Sequence, residues 1–150
     1  MQLTLLIDAK ARPELFYWAG PIQNKKLGSW LDQMHWVIPG DLKYLWSETG
    51  GGDFFESETI FYPFSSSYAY DQIADVNEYQ RSLGLPENYL VFHSGICLSV
   101  VETISQRFLL IDAKTYKSIR GFRSLEEWYV QAIRPEFEDR YSLSPLHSKD

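Results

Sequence analysis

Three stretches of the sequence contain residue types that could do chemistry: a glycine run, a histidine near the single cysteine, and two closely spaced glutamates. A glycine run can hold phosphate when it joins a strand to the N-terminus of a helix, because free N–H groups and the helix dipole then face the anion. The glycines at 50–52 have the reverse order, since a predicted helix precedes them and a predicted strand follows. Asp53, Glu56 and Glu58 would also repel phosphate. The sequence therefore argues against a nucleotide site.

His93 and Cys97 lie close together in HSGIC. A Cys–His nucleophile pair needs a third group to orient the base, and a zinc site needs three or four ligands. Two residues on adjacent predicted strands supply neither arrangement. We therefore expect His93 to lie at a strand end and Cys97 to pack as a small buried hydrophobic residue. A small hydrolase that uses His93 remains as a distant alternative.

Glu56 and Glu58 are separated by one residue, a spacing that places both carboxylates on one face of a strand. Paired carboxylates can hydrolyse glycosides, but one of them then needs an apolar wall that raises its pKa. They can also form an acidic surface for the Lys or Arg of a partner, or simply a solvated strand edge. All three interpretations stay open at this point.

The acidic residues are concentrated in the middle of the chain. The net charge is −6, and no basic residue occurs between Lys43 and Arg81. Seven acids lie in that interval: Glu48, Asp53, Glu56, Glu58, Asp71, Asp75 and Glu78. Such a field repels nucleic acid and attracts a basic protein. An ordinary solvated acidic surface is the alternative.

Composition predicts one globular domain over residues 1–150, since 45% of the residues are hydrophobic and 23% are charged. The single cysteine, Cys97, indicates a reducing compartment such as the cytoplasm. The start, MQLTLLIDAKARPE, lacks a basic region before its apolar run and contains Asp8, so it is predicted to be a strand rather than a signal peptide. No stretch approaches the ~20 apolar residues of a membrane span, and we expect a soluble protein.

Apolar periodicity predicts three helices before the middle of the chain, over residues 25–34, 41–50 and 71–83. Pro39 and Gly40 separate the first two, and Gly50 is expected to end the second in the left-handed conformation. A strand is predicted over residues 58–62, with an aromatic, serine-rich loop over residues 63–70.

The later part of the chain changes to the period of strands. YLVFHSG, CLSVVETI, RFLLIDA and KSIRGF predict an antiparallel meander. Ser124 and Glu127 then form a capping box that begins a helix, which Pro135 should kink or end. This order of elements predicts an α+β domain with a mostly antiparallel sheet. The late basic residues are expected to form a charged sheet edge rather than a nucleic-acid platform: Arg107, Lys114, Lys117, Arg120 and Arg123.

The order of these motifs resembles the SUKH superfamily, which includes bacterial immunity proteins and related fungal cell-wall regulators. The resemblance rests on WLDQMHWVIPGDLKYLWSETGGGDFF with ESETIF, on ADVNEYQ, LPENYLVFHSG and RFLLIDA, and on the final SLEEWYVQAI. It covers residues 24–133. One departure is HSGICLSVVET, which is more apolar than the Gly- and Asp-rich stretch of many members and which weakens any partner surface carried over to it.

The resemblance implies a cytoplasmic immunity protein that occludes a cognate toxin without catalysis, metal or cofactor. A basic nuclease domain is one candidate toxin, because the acidic segment would complement its active site. The expected partner-binding residues are Glu48, Asp53, Glu56, Glu58, Tyr68, Tyr70, Asp71 and Asp75. The alternative is a scaffold or regulatory adaptor of the same fold that has no toxin partner.

Overall fold

One antiparallel sheet of seven strands organises the protein, and every strand pairs with its neighbours in sequence, in the order β1 to β7. The computed structural model describes residues 1–64 and 72–146. The strands are β1 (Phe16–Trp18), β2 (Gly52–Phe54), β3 (Glu58–Ile60), β4 (Tyr89–Ser94), β5 (Leu98–Glu102), β6 (Arg107–Ile111) and β7 (Ser118–Phe122). The predicted α+β class is confirmed.

Helices precede and interrupt the sheet and follow it. They are α1 (Thr4–Ala11), α2 (Asn24–Met34), α3 (Gly40–Thr49), α4 (Ile73–Ser82), α5 (Leu125–Trp128) and α6 (Glu138–Tyr141). A π-helical turn (Tyr129–Ile133) and a 3₁₀ turn (Arg134–Glu136) join α5 to α6, and another 3₁₀ turn (Pro13–Leu15) precedes β1. Within the described residues, no helix has the length and apolarity needed to cross a membrane.

The predicted meander is confirmed as β4 to β7. Its first two strands are covered on both faces, since Leu90, Val91 and Phe92 in β4 and Val100 and Val101 in β5 have no exposed surface. The packing of helices against the sheet therefore places the hydrophobic core around β4 and β5.

The predicted helices of the first half also form. Leu27 and Leu31 bury the apolar side of α2, which ends at His35 in the left-handed conformation (φ 57°) and not at the later Pro–Gly pair. Gly50 ends α3 with φ 74°, as predicted. A Cβ atom on Gly50 would lie 2.2 Å from the backbone oxygen of Gly20. Only glycine allows this helix end to approach the chain that follows β1 so closely.

The N-terminal prediction was wrong, because residues 4–11 form helix α1 and not a strand. Side-chain contacts with the far end of the chain hold it: Glu126 accepts hydrogen bonds from the backbone N–H and the hydroxyl of Thr4. The buried Arg134 donates from Nε to Asp8 Oδ2 at 2.8 Å. Tertiary contacts thus outweigh the strand preference of the local sequence.

The predicted strand over residues 58–62 is only part of a hairpin. β3 ends at Ile60, and β2 pairs with it across a turn in which Phe55 and Glu56 have positive φ values of 51° and 68°. β1 and β2, each three residues long, were not predicted. The predicted loop over residues 63–70 lies largely outside the described residues.

The predicted helix over residues 71–83 is observed as α4. The apolar spacing of this helix predicts one face with Ile73, Val76, Gln80 and Leu83. The observed burial differs, since Leu83 is 59% exposed whereas Asn77 is fully buried. Asn77 Oδ1 accepts from the N–H of Val91 at 2.7 Å, and Asn77 Nδ2 donates to the backbone oxygen of Val91 at 2.9 Å. The side-chain amide therefore pairs with β4 as a neighbouring strand would.

The Ser124 half of the predicted capping box is confirmed, since Ser124 Oγ accepts from the N–H of Glu127 at 3.0 Å. The Glu127 carboxylate accepts from the N–H of Arg123 and not from that of Ser124. Trp128 and Ile133 point into the core, as predicted. Pro135 lies in the 3₁₀ turn after the π-helical turn, so the regular helix has already ended before the proline.

Candidate functional site

Glu58, expected to pair with Glu56 on an exposed strand face, is fully buried. Glu56 lies in the β2–β3 turn with a positive φ, so the spacing rule for a strand does not apply to it. Its carboxylate is exposed and forms an ion pair with Arg140 and a hydrogen bond with Tyr141. The prediction of a joint acidic surface is therefore wrong for Glu58, which no partner could reach.

Glu58 begins a chain of hydrogen bonds through the core. Its Oε1 lies 2.8 Å from His93 Nε2, and His93 Nδ1 lies 2.8 Å from Ser99 Oγ. Ser99 Oγ also accepts from Trp128 Nε1 at 2.9 Å. We call these four residues the buried polar chain. His93 lies next to the end of β4, as predicted, and its side chain is fully buried in the core.

A neutral His93 satisfies every donor and acceptor of this chain. Trp128 donates to Ser99, the Ser99 hydroxyl can donate to His93 Nδ1, and the Nε2–H can donate to Glu58. Burial lowers the pKa of His93 below its ordinary value, although its bond to Glu58 opposes that shift. The hydrogen-bond pattern and the lowered pKa both indicate that the His93 ring is neutral at neutral pH.

The buried polar chain contains the residue types of an acid–base–nucleophile triad, but it is closed to substrate. Glu58, His93 and Ser99 have no exposed surface. The loop between β4 and β5 covers the acid, since the N–H of Ile96 donates to Glu58 Oε2 at 3.1 Å. A Cβ atom on Gly95 would overlap the Glu58 carboxylate. In this conformation the buried polar chain links β3, β4, β5 and α5 and does not face a substrate.

Cys97 is half-buried and lies beside this chain. Burial is the largest cause that raises the pKa of its thiol to about 11, so the thiol is protonated at neutral pH. A protonated thiol is a poor nucleophile and metal ligand. Within the described residues, no group of three or more His, Cys, Asp or Glu side chains is placed to hold a metal ion.

The remaining predicted acids lie on separate elements. Glu48 is exposed near the end of α3, and Asp53 is half-buried on β2. Asp75 is exposed on α4. Tyr68, Tyr70 and Asp71 lie outside the described residues. The sequence thus identified exposed acids but did not predict how they are divided among the elements.

Asp53 belongs to a cross-strand row on the outer face of the sheet. The register pairs Tyr17 with Asp53, Asp53 with Thr59, and Thr59 with Ser94. Thr59 Oγ1 donates to Asp53 Oδ1 at 2.8 Å, and Tyr17 is 66% exposed. Tyr17 was not predicted as a site residue, because only the pairing of β1 with β2 places it beside Asp53.

A further acidic feature is one side of α4. Asp75, Glu78, Tyr79 and Ser82 line a concavity of about 340 Å³, and Tyr79 is 62% exposed. Neither acid forms an ion pair with any described residue. We call these four residues the α4 face. Helical spacing could have identified Glu78 and Tyr79, since both lie within one turn of Asp75.

The late basic residues are all exposed, as a charged sheet edge requires. Arg123 is paired only loosely with Glu127, at 3.9 Å, and Arg120 bonds to Gln131. They lie on and around β6 and β7, whereas the α4 face carries acids. The surface charge is therefore divided between different elements.

Among known proteins, neither the family models nor the curated sequences include a match to this chain.

Proposed function

We propose that this protein is a cytoplasmic immunity protein, which binds a cognate toxin and occludes it without catalysis. One observation carries the proposal: in the base-free part of the chain, the α4 face presents an exposed tyrosine and carboxylates that form no ion pair with any described residue. The resemblance in motif order to the SUKH superfamily supplies the class of partner. The buried polar chain gives a separate reason to favour binding over hydrolysis, since its nucleophile is closed to substrate.

The charges of the α4 face are poorly explained by folding alone. Asp75 lies in the first turn of α4, where the helix dipole stabilises a negative charge. Glu78 lies one turn further and repels Asp75, and like charges at this spacing cost about 0.2–0.5 kcal/mol. The positive charges of a basic partner would attract both carboxylates and offset their mutual repulsion. The same attraction would speed the association of the partner.

Tyr79 suits the centre of such an interface. Tyrosine is enriched among the residues that dominate binding energy, because it buries a large apolar ring and keeps a polar tip. The acids beside it would steer a basic surface, such as that of a nuclease domain, onto the ring. Among the described residues, the other predicted acids that remain accessible are Glu48, Asp53 and Glu56, on different elements.

The test uses the toxin domain that the proposal expects to be encoded beside this gene, co-expressed with the protein in a strain that the toxin kills. We expect Asp75→Lys combined with Glu78→Lys to lower affinity at least tenfold, about 1.4 kcal/mol, and to abolish protection. The matched control is Glu136→Lys with Asp139→Lys, which makes the same charge change at two other exposed acids. Equal affinity for the two double variants would refute the α4 face as the binding surface.

The same strain distinguishes the immunity protein from the alternative, a regulatory adaptor or scaffold without a toxin partner. An immunity protein protects cells only against its own toxin, and its gene lies beside the toxin gene. Absence of any toxin gene beside this one, together with no protection against toxins of the same class, would favour the adaptor.

A further inference from the structure

Arg81, in the last turn of α4, has a buried donor without an acceptor. Its Nη2 donates to the backbone oxygen of Tyr89 at 3.0 Å, whereas its Nε is shielded from solvent and has no hydrogen-bond partner. No other buried side-chain nitrogen or oxygen within residues 1–64 and 72–146 is left in this state. An unmet donor of this kind costs about 1–3 kcal/mol, so an acceptor is expected there.

Glu87 is the nearest acid, but it does not satisfy the donor. Its Oε2 lies 3.7 Å from Arg81 Nε, beyond hydrogen-bond distance, and its side chain is 94% exposed. Exposed ion pairs of this kind contribute about 0–1 kcal/mol. Glu87 therefore covers the guanidinium loosely and can be displaced at little cost.

A concavity of about 270 Å³ adjoins this pair of residues. The half-buried Trp36 and the exposed Val37 provide apolar surface, and His35 and Thr103 add polar groups. Small-molecule sites combine apolar walls with a few polar groups in this way. This volume lies just below the ~300–1,000 Å³ of sites for drug-sized ligands, so it suits a smaller ligand.

We propose that this concavity, the Arg81 pocket, binds a small carboxylate, which displaces Glu87 and accepts the Nε–H of Arg81. The planar guanidinium matches a carboxylate and can donate to it through two N–H groups. The negative charge of Glu87 nearby disfavours a dianion such as phosphate. The apolar surface of Trp36 and Val37 favours a carboxylate with an apolar body over acetate.

The experiment follows the Arg81 Nε–H resonance by NMR while benzoate, acetate or inorganic phosphate is added to the whole protein. We expect benzoate to shift this resonance saturably, with a Kd of about 1 mM, and more tightly than acetate or phosphate. Glu87→Gln should strengthen benzoate binding several-fold, because it removes a competing charge. Arg81→Lys should abolish saturable binding, followed through the Trp36 indole N–H, while the backbone spectrum stays that of the folded protein.

Two results would overturn the proposal. One is an Arg81 Nε–H resonance that moves in Glu87→Gln without ligand and then responds to no carboxylate, which would make Glu87 the acceptor in solution. The other is equal benzoate binding by Arg81→Lys. The proposal is independent of toxin binding: the Asp75→Lys, Glu78→Lys variant should bind benzoate like the unaltered protein, so either proposal can fail alone.

Discussion

His93 Nε2 lies 2.8 Å from Glu58 Oε1, and neither side chain has any exposed surface. The two residues come from neighbouring strands, since β3 pairs with β4 through Ile60 and His93. Apolar residues of similar volume can replace a buried polar pair at little cost, whereas removal of one partner leaves the other unsatisfied. Each residue of the pair therefore requires the other, although the pair as a whole adds little stability over an apolar pair of similar volume.

We expect Glu58→Ala to lower the free energy of unfolding by about 3–5 kcal/mol, because His93 Nε2 and the N–H of Ile96 lose their acceptor. Glu58→Gln keeps an acceptor oxygen and should cost less. Glu56→Ala is the matched control, since its exposed ion pair contributes about 0–1 kcal/mol. Urea denaturation with an unchanged slope measures the difference. Similar losses for Glu58→Ala and Glu56→Ala would contradict the buried position of Glu58.

The His93 environment predicts a loss of stability on mild acidification. Burial holds the pKa of His93 below its ordinary value of 6.5. The unfolded chain therefore binds the proton first, and the free energy of unfolding should fall as pH drops below about 6.5, by at most about 1.4 kcal/mol per pH unit, until the folded-state pKa is reached.

The measurement for His93 is urea denaturation at several pH values between about 7.5 and 5. We expect His93→Gln to flatten the pH dependence in this window, since the variant has no ring to protonate. His35→Gln, at an exposed position, is the control and should keep the slope of the unaltered protein. A slope that survives in His93→Gln would assign the pH dependence to other groups.

The elements that the sequence predicted best are those with strong local signals. The Ser124 capping box, the apolar stripe of α2 and the period of β4 to β7 depend on neighbouring residues only. The α1 helix was missed for the opposite reason. Thr4 and Asp8 are fixed by Glu126 and Arg134, more than a hundred residues away in the chain, and no local pattern reports such contacts.

The burial of Glu58 had a signal that was overlooked. Glu58 and Ile60 are two residues apart in one strand, so they share a face, and Ile60 is the more obvious core residue. An acid on the core side of a strand predicts a buried partner. The identity of that partner was beyond the sequence, because His93 meets Glu58 only in the observed register of β3 and β4.

Asn77 provides a test of how α4 is attached to β4. Asn77→Asp places a carboxylate oxygen against the backbone oxygens of Ile73 and Val91, to which Asn77 Nδ2 now donates. We expect a loss of about 2–4 kcal/mol at neutral pH, smaller at a pH low enough to protonate the new acid. Thermal or urea unfolding relative to the unaltered protein at each pH measures this.

Asn24→Asp is the matched control for Asn77. Asn24 is exposed at the start of α2, where a negative charge is favourable to the helix dipole, so the same substitution should be neutral or slightly stabilising. If Asn77→Asp were equally mild, the side-chain pairing with Val91 would not exist in solution, and α4 would be held to the sheet by Ile73 and its apolar neighbours alone.

The two glycines at the ends of α3 should respond oppositely to alanine. Gly50 has φ 74°, and an added Cβ would lie 2.2 Å from the backbone oxygen of Gly20, so Gly50→Ala must separate the helix end from the segment after β1. We expect a loss of at least about 2 kcal/mol.

Gly40, at the first turn, has no atom within 4 Å of an added Cβ and no positive φ. Gly40→Ala should therefore leave stability unchanged or raise it by up to about 1 kcal/mol. Denaturation midpoints of both variants measure the contrast. Equal stability of the two variants would show that Gly50 is not closely packed against Gly20 in solution.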